Sequence, residues 1–448
     1  MPKTSPDVNI TGTKYAKVIF TPGSQESLQL FGSETFTKML WEANFGLLTM
    51  VQKVLKNEKY DLLITELFDA CAFGLVEVFQ IPAHIIICPS TLLDHIANLI
   101  GIPLFPSYVP SSMAPFMDQM SYKERFVNFL MTEGSKLLYI GLTDAETKLF
   151  KEFYGDVFPD LREIIAQTTF VLTNAEPLLD FPRPISQKVI QIAGLSEPEV
   201  KPLEKKWKKI MSRTEKVVLV SFGSIVRSCD MPPKAKNVML HVFSAFPDVT
   251  FIWKYECDDL SLTEYKNVFI GKWLPQNDII GHRNLKVFIT HGGMNSIVET
   301  TSIGKPVIAV PFFADQFRNG MMMKRIGVGL VVPKTDLFNQ GSQLLEALKE
   351  VFSNDSYKKS AEELARMIKK KPMSSKELLI KHVEFAAEFG RLPLWDPAGR
   401  TMPFYKYYLL DIFMPIILAM LLIFILTFYY AYRMVAKMTF TRQKFKTD

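Results

Sequence analysis

The stretch FITHGGMNSIVETTSIGKPVIAVPFFADQ, Phe288 to Gln316, decides how this chain is read. An apolar run ends on His291-Gly292-Gly293, and a helical pattern follows. A second apolar run, Pro306 to Pro311, then leads to Phe313-Ala314-Asp315-Gln316. Strand, helix and strand in that order form a βαβ unit, and open α/β sheets bind ligands at the carboxyl ends of their strands. The helix start after Gly293 offers unpaired backbone N–H groups and the positive end of the helix dipole, a natural anion site. The glycines allow an anion close to the backbone, and either tolerates positive φ. His291 adds a hydrogen-bond donor. Glu299 follows Gly293 by about 9 Å of helix, close to the distance from a nucleotide's phosphates to the far edge of its ribose. Taken singly, these residues are an ordinary Gly-Gly turn, a buried histidine and a surface glutamate. The ordered set, in its strand–helix–strand context, outweighs that reading.

Composition frames the rest. A chain of 448 residues holds two domains and a tail. An apolar share of 48% with 22% charged residues describes a globular protein carrying one unusually apolar segment. The net charge of +6 gathers in KPLEKKWKKIMSR, 201–213, and at the C-terminus. No basic-aromatic interleaving points to a nucleic-acid groove. Cys71, Cys88, Cys229 and Cys257 are widely spaced, lack a zinc pattern and read as core thiols. They imply no disulfide framework and exclude none. The N-terminus shows no apolar signal-peptide core. Ile412 to Tyr432 carries no charge and is flanked by tyrosines and a basic tail, the pattern of a membrane span with its tail in the cytosol.

Two α/β halves emerge. In the first, YDLLITE, PAHIIICPS and FVLTNAE read as strands, ACAFGLVEVFQ and about 121–152 as helices, and the Pro-rich 102–116 as an irregular loop. The second restarts at KVVLVSFGS and continues through a helix at 232–246 and the strands VTFIWKY, NVFIGKW, LKVFITH and KPVIAVP. Helices at about 341–370 and 376–390 are expected to close this second half. The boundaries are 1–190, a linker 191–215, 216–375, a closing helix and membrane approach 376–408, a transmembrane helix 409–432, and a basic tail 433–448.

The run KWLPQNDIIGHRNLKVFITHGGMNSIVETTSIGKPVIAVPFFADQFRN, 272–319, strongly resembles the donor signature of the UDP-glycosyltransferases, and most closely that of the membrane-bound animal UDP-glucuronosyltransferases. The likeness extends to SFGS at 221–224, to the first half and to the C-terminal span. It covers nearly the whole chain except the family's opening segment. It implies a GT-B fold: an acceptor-binding Rossmann-like domain, here truncated at its start, facing a UDP-sugar-binding one. By position it implies that Trp273 stacks on uracil with Gln276 beside the base. His291, Gly293, Asn295, Ser296 and Ser224 would meet the pyrophosphate, Glu299 the ribose hydroxyls, and Asp315 and Gln316 the sugar. Without the resemblance, Trp273 reads as a core aromatic, Ser224 and Asn295 as turn and capping residues, and Asp315 and Gln316 as a helix cap.

The implied reaction is displacement at the anomeric carbon with inversion, glucuronate or glucose passing from UDP to a hydroxyl of a small lipophilic acceptor. No metal and no cofactor beyond the UDP-sugar co-substrate is implied. The family's catalytic histidine has no counterpart, and Glu66 stands where its orienting aspartate is expected, with Asp69 a weaker alternative. His84 reads as a core histidine, and His95 is no better placed. The alternative is a UDP-binding but inactive chain that pairs with full-length transferases. Expected partners are therefore UDP-sugar, acceptor, membrane and other transferases as homo- or hetero-oligomers. Single-pass residence in the endoplasmic reticulum membrane is expected, the body lumenal behind a signal peptide or cytosolic behind a tail anchor; glycosylation of the sequons at Asn9 and Asn354 reports which, and Lys444 and Lys446 resemble a retrieval signal.

Overall fold

The computed structural model describes residues 59–67, 70–195 and 200–444, with side chains as far as 436. Asn9 and Asp69 therefore lie outside the described residues, as does Lys446. Two compact units divide the chain, one ending at Trp395 and the other beginning at Asp396.

The larger unit holds two parallel sheets. In the first, β1 (Leu63–Glu66), β2 (His84–Cys88), β3 (Phe170–Thr173) and β4 (Val189–Gln191) lie in the order β1-β2-β3-β4. Ile85-Ile86-Ile87 makes β2 a nearly continuous buried apolar run, as a strand covered on both faces requires. Helices α1 (Cys71–Val78), α2 (Asp94–Leu99), α3 (Tyr122–Tyr154) and α4 (Leu161–Ala166) belong to this half. A capping box sets the start of α3: the Ser121 hydroxyl accepts from the Glu124 backbone N–H, and the Glu124 carboxylate accepts from that of Ser121. The Pro-rich loop before it is irregular as expected, and buried Asn128 pins it by donating to Pro106 O (2.8 Å) and Val109 O (2.9 Å).

After α5 (Lys205–Met211), the second half runs through β5 (Lys216–Ser221), α6 (Pro233–Ser244), β6 (Val249–Lys254), β7 (Val268–Gly271), α7 (Gln276–Ile280) and β8 (Leu285–Thr290). It continues through α8 (Met294–Ile303), β9 (Val307–Ala309), α9 (Gln316–Arg325), β10 (Gly329–Val331), α10 (Ser342–Ser353) and α11 (Ser356–Lys369). Its six strands are ordered β10-β9-β8-β5-β6-β7, all parallel. The core of one face is aromatic, with Phe243, Phe251, Trp253 and Tyr255 all fully buried.

Two expectations are corrected. Helix α12 (Ser375–Phe389) closes the first sheet rather than the second. Its Leu378, Leu379, Val383 and Ala386 meet Ile85, Phe170 and Leu172. Ser375 Oγ donates to Ala193 O at 2.6 Å and Thr169 Oγ1 to Gly390 O at 3.1 Å. The reason is area: the first sheet has an apolar face that the earlier helices leave open, and α12 carries the matching stripe. Second, Cys229 and Cys257 form a disulfide across 5.5 Å between Cα atoms, while Cys71 and Cys88 are buried free thiols. Sequence spacing hid the pair because the fold, not the spacing, brings the turns after β5 and β6 together. Asp259 lies beside these sulfurs, but disulfide sulfurs are not thiolate ligands.

In the smaller unit, α13 (Phe404–Tyr407) precedes α14 (Leu410–Lys444). Leu410–Ala436, 27 residues, is long and apolar enough to cross a membrane, and its large apolar side chains are exposed.

Candidate active site

Counted from β5, the second sheet has the order 3-2-1-4-5-6, so its sense reverses between β5 and β8. Connections leave in opposite directions there and open a crevice at the carboxyl ends of the strands. Ser221 pairs with Thr290 across the two strands. The turn Phe222-Gly223-Ser224 therefore runs beside His291-Gly292-Gly293, and Ser224 is exposed on it.

The glycines shape this turn. Gly292 has φ +85°, a conformation that suits glycine. A Cβ on Gly293 would lie 2.4 Å from His291 Nε2, and one on Gly223 2.8 Å from His291 Cε1, so the imidazole occupies space that any other residue would fill. The other ring nitrogen, Nδ1, is 3.3 Å from Thr290 Oγ1. Burial, aided by the charge of Lys254, lowers the His291 pKa to about 4. At neutral pH the ring is uncharged, with one nitrogen able to donate and the other to accept a hydrogen bond. Gly293 is the N-cap of α8 and brings no side-chain cap, so its first N–H groups meet the crevice without one.

Beyond this anion-suited end, Gln276 Nε2 donates to Glu299 Oε2 at 2.6 Å and approaches Ser296 Oγ at 3.4 Å. Burial raises the Glu299 pKa while the Gln276 bond opposes it. Trp273 is not a core aromatic: its side chain is 66% exposed, with Lys254 Nζ 5.5 Å from the ring centroid. Lys254 itself is buried at the end of β6, donates to Gly223 O at 2.8 Å and pairs with Glu256 at 3.0 Å. Sequence reading missed this lysine; a charged residue closing an otherwise apolar strand was the available signal.

At the next strand end, Asp315 does not cap α9 with its side chain. Its Oδ2 accepts from Ser90 Oγ (2.5 Å) and Asn319 Nδ2 (2.9 Å). Gln316 is buried and braces its own loop, its Oε1 accepting from the N–H groups of Phe312 (2.9 Å) and Phe313 (3.2 Å). Asn295 Oδ1 accepts from Asn174 Nδ2 at 2.8 Å, so it does more than terminate a helix. Ser90 and Asn174 belong to the first half, and no sequence signal marked them because their partners are remote in the chain.

The first half is simpler chemically. Glu66 closes β1 and is exposed. His84 opens β2, 1% exposed and edge-on to Phe73, a core histidine as expected, its pKa lowered to about 4 chiefly by burial. His95 stacks on Tyr139 at 4.1 Å, and burial takes its pKa to about 4 as well. Asn354 sits in the turn between α10 and α11, its amide donating to Glu350 Oε1 at 2.9 Å.

Two facing Rossmann-like sheets, with a phosphate-suited helix start, a flat indole and a carboxylate on one carboxyl edge, define the class of nucleotide-sugar transferases of GT-B fold. The chain belongs to the UDP-glucoronosyl and UDP-glucosyl transferase family, whose model matches residues 43–444. It is 30% identical to a putative UDP-glucuronosyltransferase of Caenorhabditis elegans, ugt-50, over 82% of this chain and 71% of that one. It is 31% identical to UDP-glucuronosyltransferase 3A1 of Bos taurus over 81% of this chain and 69% of the relative. In fold it matches the glycosyltransferase of kitacinnamycin, with TM-score 0.57, 19% identity and coverage of 81% and 85%. A UDP-glucosyltransferase from Polygonum tinctorium matches with TM-score 0.55, 17% identity and coverage of 83% and 86%. The chain is a glycosyltransferase that uses a UDP-sugar.

Proposed function

We propose that this protein moves glucuronate or glucose from UDP to a hydroxyl of a small lipophilic acceptor, inverting the anomeric centre. The observation that carries this reading is the connected set at the β5–β8 crevice: the α8 N-terminus, neutral His291, Glu299 with Gln276, and the exposed face of Trp273. Uracil stacks on the Trp273 face. Glu299 accepts from the ribose hydroxyls, as a carboxylate does in bidentate fashion. The acceptor oxygen bonds to the anomeric carbon as the bond to the β-phosphate oxygen breaks on the opposite face. The departing UDP carries the electron pair, and its new charge meets the α8 N–H groups and His291, donors already aimed before reaction. Asp315 and Gln316 hold the sugar hydroxyls. The acceptor proton leaves to a base, and we assign that role to Glu66, the carboxylate that ends β1. Leu410–Ala436 spans the endoplasmic reticulum membrane with the basic tail in the cytosol.

A second reading, UDP-binding without turnover, is favoured by one observation. The first-half histidines, His84 and His95, are both buried and neither closes a strand of the first sheet. Calorimetry with UDP followed by UDP release with UDP-glucuronate or UDP-glucose and a panel of phenols separates the two. Binding with turnover and a β-linked product supports transfer; binding without turnover supports the second reading. Absence of UDP binding refutes both.

A further inference from the structure

Helix α9 is one place where the two halves meet. Arg318, 1% exposed, pairs with Asp180 at 2.7 Å and donates to Thr91 Oγ1 (3.2 Å) and Pro110 O (3.3 Å). Arg325 pairs with Asp118 at 2.7 Å on the same helix. Ser90 precedes Thr91 directly, so the arginine that donates to Thr91 also limits the reach of Ser90. The Ser90 hydroxyl, 7% exposed, then lands on Asp315 Oδ2 at 2.5 Å.

That contact settles how the Asp315 carboxylate presents itself. Among the described residues, both of its hydrogen bonds fall on Oδ2, one from Ser90 and one from Asn319. Asn319 is itself held by donation to Gly292 O at 3.0 Å. Two donors on one oxygen fix the carboxylate plane and leave Oδ1, with its lone pairs, for a ligand. Asn319 alone would leave that plane free to turn about the side chain's last torsion, which is broad for aspartate.

We propose that Ser90 is a positioning residue for the donor sugar: a hydroxyl from the first half aims Asp315 so that its open oxygen meets the ring hydroxyls. Selection among UDP-sugars then depends on the joint between the halves as well as on the donor half. This rests on the reading of Asp315 as a sugar-holding residue.

The test is calorimetry on the full chain in detergent with UDP, UDP-glucose and UDP-glucuronate, comparing the parent with Ser90→Ala, Ser90→Thr, Asp315→Asn and the Ser90→Ala/Asp315→Asn pair. Ser90→Ala is expected to leave UDP affinity within about twofold and to weaken the preferred UDP-sugar by about threefold to tenfold, the scale of one hydrogen bond. Ser90→Thr, which keeps the hydroxyl, restores it. In the Asp315→Asn background Ser90→Ala adds nothing, because it acts through that carboxylate. An unchanged ratio of UDP-sugar to UDP affinity in Ser90→Ala overturns the proposal, as does an equal loss of both ligands or an additive double variant. If the parent binds UDP but gains no affinity from the sugar, the reading of Asp315 is wrong; if it binds no UDP, the donor site itself is wrong.

Discussion

The halves share one architecture and divide the chemistry unevenly. The six-stranded sheet gathers its polar groups at a single edge and holds most of them through contacts of its own half: His291 against Gly223 and Gly293, Gln276 on Glu299, Lys254 on Gly223 O. The four-stranded sheet keeps its two histidines buried and contributes to that edge from outside, through Ser90 and Asn174. The second half, which we propose binds the donor, thus forms most of its crevice from its own sequence, whereas the first half acts on that crevice by touching it. A ligand contact in the first kind of region depends on short-range geometry, and one in the second on the joint.

The sharpest break of this comparison is Arg318→Met. Removing one partner of a buried ion pair leaves the other unpaired and costs about 3–5 kcal/mol. Urea unfolding of the larger unit should show that loss, while UDP affinity of residues 200–371 made alone should not change. Acidification comes next. Burial lowers the His84 pKa to about 4 in the folded chain, against 6.5 for a free imidazole, so the unfolded chain binds the extra proton between those values. Its contribution is complete above pH 6.5 and is lost as pH falls toward 4, on the order of 3 kcal/mol at 1.36 kcal/mol per unit. His95 adds in the same direction, and so does His291 in the donor half, so a pH series of melting curves should fall more steeply for the larger unit than for 200–371. Glu299→Ala should weaken UDP by about 1.5–3 kcal/mol in both forms, read by calorimetry. Glu66→Gln should have the smallest effect, leaving UDP affinity within about 0.5 kcal/mol, since Glu66 is exposed and its proposed role is to take the acceptor proton, not to hold UDP. A larger shift would place Glu66 in the donor site and undo the division between halves.

What the sequence made legible follows the same division. The βαβ pattern from Phe288 to Gln316 carries its strands, helix and turn in one contiguous run, so period and punctuation were enough to place the edge. Trp273 misled local reasoning because a tryptophan after an apolar strand is ordinarily core; only the ordered motif argued for an exposed ring. Ser90, Asn174 and Arg318 gave no signal, since their meaning lies in contacts more than a hundred residues apart in sequence. The allegiance of α12 was hidden for the same reason: a stripe of leucines declares that a helix needs a surface, not which sheet supplies it. The Cys229–Cys257 pair, only 28 residues apart, was hidden because its spacing matches no motif.

That return of α12 to the first sheet has a consequence in time. A ribosome finishes the strands of the first sheet at Gln191, yet the helix that covers one face ends at Phe389. The donor half is threaded between them and can complete itself first. At about 5–20 residues per second, the uncovered face waits on the order of ten to forty seconds while Ile85, Phe170 and Leu172 stand exposed. During synthesis the half that appears first is therefore the last to finish, and it is the one that calls for a chaperone.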